Sequence, residues 1–119
     1  MPRRRSARPR LQDILDNIAI VGGAVAGRDF NSFAADPVLR LAVERAIEII
    51  SEAVRHIPRE QRDKHPTTPW RNIMSIGNKL RHEYRRIDPD IIWEIAQKHL
   101  NELRPVIEAI AAELAQGET

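Results

Sequence analysis

The chain has 119 residues, 42% of them apolar and 30% charged, which fits one globular domain with a core of its own. It has no cysteine, which excludes a disulfide framework, a thiolate zinc site and a cysteine nucleophile. The formal charge of +2 is unevenly spread: setting Arg3, Arg4, Arg5, Arg8 and Arg10 aside from the 19 basic residues leaves 14 against 17 acidic ones.

Residues 1–10 hold those five arginines and no acid. They read as a disordered tail that can hold phosphate without specificity. The helical domain is expected over 11–116. Its first helix covers 11–26, where Leu11, Ile14, Leu15, Ile18, Val21 and Val25 recur at helical spacing. Gly22 and Gly23 in that stretch suggest a close packing contact. Gly27 is the expected stop. Basic residues followed by IAIVGGAVAG imitate a secretory signal, but Asp13 and Asp16 interrupt the apolar region such a signal needs. No run approaches the ~20 apolar residues of a membrane span. The expected location is cytoplasmic.

Residues 28–36 form a connector whose Phe30 and Phe33 are expected to tuck inward. Asp36-Pro37 starts the second helix, an N-cap carboxylate followed by proline at the first helical position. This helix runs to about Arg55, with Ser51 and Glu52 beside its apolar stripe. Glu52 reads as a solvated carboxylate at the bundle edge. Three prolines keep 56–69 irregular, with one short turn over 59–64. His56 and His65 lack partners at metal-ligand spacing and read as surface residues.

Thr68-Pro69 begins the third helix, Trp70 to about Arg85, and Asp88-Pro89 begins the fourth. Pro105 falls inside the fourth and should kink it. His99 sits at its apolar edge as a boundary residue. Four helices with short connectors predict an all-α fold, an antiparallel four-helix bundle with a kinked last helix.

The third helix carries the chemistry. Its core stripe, Trp70, Ile73, Met74 and Gly77, ends in Arg81 and Tyr84 instead of apolar residues. Beside it run Arg71, Ser75, Asn78, His82 and Arg85. A histidine can move a proton at neutral pH, and arginines can bind phosphate and stabilise growing negative charge. RNA brings its own nucleophile, the 2′-OH, so base and cation suffice without a metal, a cofactor or a protein nucleophile. The same residues also describe a solvated basic helix end that complements the helix dipole.

Several stretches together resemble one family. They are Leu11-Gln12-Asp13-Ile14-Leu15, Gly27-Arg28-Asp29-Phe30 with Phe33, Ile50-Ser51-Glu52-Ala53 against the family's I-G-E-A, Pro69-Trp70-Arg71 with Ile73, His82-Glu83-Tyr84, and Trp93. They are similar to the HepT-like branch of the HEPN superfamily, small helical toxins of prokaryotic toxin–antitoxin pairs, over roughly 11–110. The resemblance implies a metal-independent ribonuclease without a cofactor, commonly a homodimer with a composite site. It also implies a nucleotidyltransferase antitoxin of the MNT type as partner.

The family signature R-x4-H-x-Y puts its histidine at His82 and its tyrosine, the AMP acceptor of some pairs, at Tyr84. Its arginine position is Gly77. Arg81 lies one turn on, about 40° around the helix, and a glycine at 77 leaves room for it to substitute. The expected catalytic set is His82, Arg81 and Asn78, with Arg85, Arg71 and Lys79 binding substrate and no metal site. The alternative is a weakened or inactive module that binds RNA or protein.

Overall fold

The computed structural model describes residues 2–83 and 87–117, with side chains for 7–83 and 87–116. Helix α1 spans Pro2–Val25, α2 Phe30–Ala34, α3 Pro37–Val54, α4 Arg59–Asp63, α5 Trp70–Glu83, α6 Pro89–Glu94 and α7 Leu100–Gly117. A π-helical turn, Ile95–His99, joins α6 to α7. Four long members result: α1, α3, α5 and the α6–α7 unit. The fold is the expected all-α bundle. Helix α3 packs between α1 and α5, and α1 also packs on α7.

Among the described residues, two helix starts carry a side-chain cap. Asp36 accepts a hydrogen bond from Leu39 N–H at 3.1 Å, with Pro37 at the first position of α3. Asp29 caps the short α2 by accepting from Ser32 N–H at 2.8 Å. Asp88 precedes Pro89 as foreseen, but its side chain makes no capping bond. Gly27 takes φ +73°, the left-handed conformation that ends α1.

Helix α1 begins ahead of the expected start at Leu11. Ala7 is 1% exposed and continues the stripe of Leu11, Ile14 and Ile18 by one turn, so packing favours helix there. Gly22 and Gly23 face open space and mark no close contact. Of the two connector aromatics, Phe33 is fully buried and lies 5.2 Å from Trp93 ring to ring, while Phe30 stays 37% exposed.

The interruption expected at Pro105 lies earlier. Helix α7 runs through the exposed Pro105, and the chain departs from α-geometry at the π turn, where Leu100 N–H donates to Ile95 O. Proline on the solvent side costs one backbone bond that water can replace. His65 also differs from its surface reading. It is half-buried, with Nε2 3.1 Å from Glu113 Oε2. The Trp70 indole N–H donates to the carbonyls of Arg62 and His65 at 3.0 and 3.1 Å, which ties the connector to the start of α5.

Candidate active site

Helices α3 and α5 run antiparallel, and three pairings along their seam fix the register. At one end, Arg55 Nη2 donates to Met74 O at 3.1 Å. In the middle, Ser51 Oγ donates to Met74 O at 2.9 Å and accepts from Gly77 N–H at 3.1 Å. At the far end, Arg81 Nε lies 3.7 Å from Glu48 Oε2, and its Nη2 lies 3.9 Å from Glu52 Oε1.

Gly77 is buried because α3 comes so close. A Cβ built there would sit inside the van der Waals shell of Ser51 Oγ and Cβ, and 3.6 Å from the Glu48 carbonyl. The space foreseen beside Gly77 is therefore taken by Ser51, and it does not host Arg81. The Arg81 head group is instead held at the seam edge by two carboxylates, with its side chain half exposed.

Glu52 is the exposed edge carboxylate expected, its side chain 49% accessible, and it has several charged neighbours. Besides Arg81 it faces Arg55 Nε at 3.9 Å and His56 Nε2 at 3.5 Å. Glu48 also accepts from Arg45 Nη1 at 3.1 Å, and its side chain is only 17% exposed. One turn back on α3, burial pushes the Glu44 carboxyl above its ordinary pKa, partly offset by Arg40.

His82 is exposed and follows Arg81 by one residue, about 100° around α5. Arg81 is turned toward α3, whereas His82 lies on the outward arc together with Arg71 and Asn78, both exposed. The fold thus leaves His82 exposed and holds the Arg81 guanidinium near two carboxylates at the α3–α5 seam. Lys79 is exposed and lines an open groove of about 590 Å³ between α3, α5 and the last helix, with Ile50, Ile76, Leu103 and Val106 as its apolar walls. Two expected members, Tyr84 and Arg85, lie outside the described residues. Among the described residues no three His, Asp or Glu side chains group as a metal ion would require.

Glu48 and Arg55 were not singled out by the sequence, and Ser51 was noted only beside the apolar stripe and within the family motif. Their signal was present: spacings of three and four residues along one edge of α3, opposite a glycine in the apolar stripe of α5.

The family profile described as "HepT-like: Ribonuclease HepT-like" matches residues 14–110. A protein of Caldanaerobacter subterraneus, provisionally named as an RNase, is 40% identical over 106 residues, covering 89% of this chain and 95% of the relative. One from Methanocaldococcus jannaschii, also provisionally named as an RNase, is 33% identical over 90% of this chain and 98% of its own length. One from Thermococcus cleftensis, provisionally named ribonuclease HepT, is 31% identical over 90% and 97%. No solved structure matches the chain.

Proposed function

We propose that this chain, which belongs to the HepT-like family, is a ribonuclease that cleaves RNA through attack by the substrate's own 2′-OH. The observation that carries the reading is an exposed His82 on α5 next in sequence to Arg81, whose guanidinium is held at the α3–α5 seam. The names of the relatives support the same reaction class.

In this reading His82 takes the 2′-OH proton. The 2′-oxygen attacks the adjacent phosphorus as the bond to the 5′-oxygen breaks. That leaving oxygen takes a proton from solvent. The products are a 2′,3′-cyclic phosphate and a 5′-hydroxyl. Arg81 binds the non-bridging oxygens, where negative charge grows, and such a contact contributes most in the transition state. Asn78, one turn before His82, orients the phosphate, while Lys79, Arg71 and Arg85 hold the flanking backbone. No step needs a metal or a cofactor.

One base and one cation per protomer make a sparse site, and a two-fold dimer doubles it. The open apolar groove beside α5 supports that assembly. The biological setting of the reading is a cytoplasmic toxin neutralised by a nucleotidyltransferase. The partner's reaction would join AMP to the Tyr84 oxygen with release of pyrophosphate. Intact mass after incubation with ATP and a candidate transferase would then rise by AMP units in wild type and stay constant in Tyr84→Phe.

The seam also favours a second reading. Two carboxylates already neutralise Arg81, and residue 77 cannot carry a cation, which suits a module that binds RNA without cutting it. Incubation with total RNA in excess chelator separates the two. The ribonuclease reading expects cleavage by wild type and none by folded His82→Ala. Equal cleavage by both would remove His82 from the mechanism.

A further inference from the structure

Gly77 stands where a catalytic arginine is expected, but its surroundings give the glycine a role of its own. Ser51 Oγ accepts from Gly77 N–H and donates to Met74 O, so one hydroxyl bridges two points a turn apart on α5. Arg55 adds a second donor to the same Met74 carbonyl. Ser51 is 1% exposed, and its bridge sits one helical turn before Arg81. No side chain fits at residue 77 while Ser51 is in place, because even a methyl would enter the Ser51 side chain. The far end of the seam lies one turn beyond this close approach. Arg81 reaches Glu48 and Glu52 only at 3.7 and 3.9 Å, distances that any lift of α5 off α3 would lengthen.

We propose that Ser51 is a positioning residue for Arg81: its contact with Gly77 locks the α3–α5 register that brings the Arg81 guanidinium to Glu48 and Glu52. Gly77 is then demanded by Ser51, and is not a vacated catalytic position. This inference rests on the ribonuclease reading. It also predicts that the small residue can be moved across the seam. When Ser51 is replaced by glycine, a side chain at 77 is tolerated.

The test is a set of paired substitutions. Gly77→Ala is expected to lower kcat/KM for RNA cleavage by about tenfold or more, since shifts near 1 Å at a reacting centre are costly. In a Ser51→Gly background the same Gly77→Ala change should cost no more than about twofold, the margin within which independent sites add. In an Arg81→Ala background Gly77→Ala should also cost no more than about twofold, whereas a clash with a purely structural effect would cost the same there as in wild type. If Gly77→Ala does not fold, Ser51→Ala takes its place. It removes only the bridging oxygen, and it should slow wild type severalfold while leaving Arg81→Ala unchanged.

An activity-free readout accompanies the kinetics. The Arg81 Nε–H resonance of ¹⁵N-labelled protein, identified by its absence from Arg81→Ala, should move in Gly77→Ala and in Ser51→Ala. Equal costs of Gly77→Ala in the wild-type and Ser51→Gly backgrounds, or an unmoved resonance, would overturn the proposal. A wild type that does not cleave RNA would refute the ribonuclease reading instead, and the resonance alone would then decide the seam.

Discussion

Among single residues, His82 and Arg81 have different surroundings, and their substitutions should behave differently. His82→Ala should abolish cleavage, and because His82 is exposed the melting temperature should stay within about 2 °C of wild type, as for surface changes in general. Arg81 is half exposed and paired across two helices. Arg81→Ala should lower cleavage by at least about a hundredfold, the scale of a lost charge-stabilising donor. Arg81→Lys should recover little, because a point charge replaces the planar fork. Rates measured on one oligonucleotide, with melting curves on the same preparations, check both. An Arg81→Ala enzyme of unchanged rate would remove this residue from the site. As candidates, Arg81 was legible in the sequence because it interrupts the apolar stripe of α5, and His82 because the signature of the family falls on it. The carboxylates that hold Arg81 were not, because a glutamate at a helix edge reads as solvated until the opposite helix is placed beside it.

Among the elements, the helix starts were the most legible feature. Proline after a small polar residue constrains the backbone locally, and Asp36-Pro37 behaves as its chemistry dictates. The Leu39 N–H bond, opposed by partial desolvation and helped by Arg28 at 3.3 Å, holds the Asp36 carboxyl below its ordinary pKa. A folded pKa below the unfolded value means stability that is present above the unfolded pKa and lost as pH falls through the folded one. Asp36→Ala should therefore lower the melting temperature by about 5 °C at neutral pH, and the gap to wild type should narrow below about pH 4. A gap that stays constant into acid would contradict the cap. Glu44 has the opposite sign: its raised folded pKa favours the neutral form, and the associated stability fades as pH rises. Glu44→Gln should melt at or above wild type at pH 7. In the core, Phe33→Ala should cost about 3–5 kcal/mol, since Phe33 is fully buried against Trp93. The early start of α1 and the π turn were not legible. Each is decided by tertiary packing, which lets Ala7 join the core and lets one hydrogen bond slip from i−4 to i−5.

For the molecule as a whole, the all-α class and the bundle followed from helical periodicity and short connectors. The groove between α5 and the last helix did not, because periodicity marks which residues are apolar and not whether their own chain covers them. A homodimer across this region should sediment at twice the monomer mass. Ile76→Glu, placed on the groove wall, should return it to the monomer. Beyond the tail the chain carries 14 basic against 17 acidic residues, so the tail supplies long-range attraction for a polyanion that the domain's net charge does not. Removing residues 2–6, and with them Arg3, Arg4 and Arg5, should reduce the salt dependence of RNA binding by about 2 in log–log slope, on the single-strand value of about 0.7 per phosphate contact. An unchanged slope would assign RNA binding to the domain alone.

The proposed chemistry makes the substrate's own 2′-oxygen the nucleophile and His82 its base. The most direct measurement uses one RNA oligonucleotide whose scissile site has been mapped, and a second that differs only by 2′-deoxy substitution at that nucleotide. Both are incubated with wild type and His82→Ala in excess chelator, and the product ends are read by mass. The expected outcome is cleavage of the all-ribose strand by wild type alone, with a 2′,3′-cyclic phosphate on one fragment and a 5′-hydroxyl on the other. Cleavage of the deoxy-substituted strand at the same bond, or a 5′-phosphate product, would contradict it.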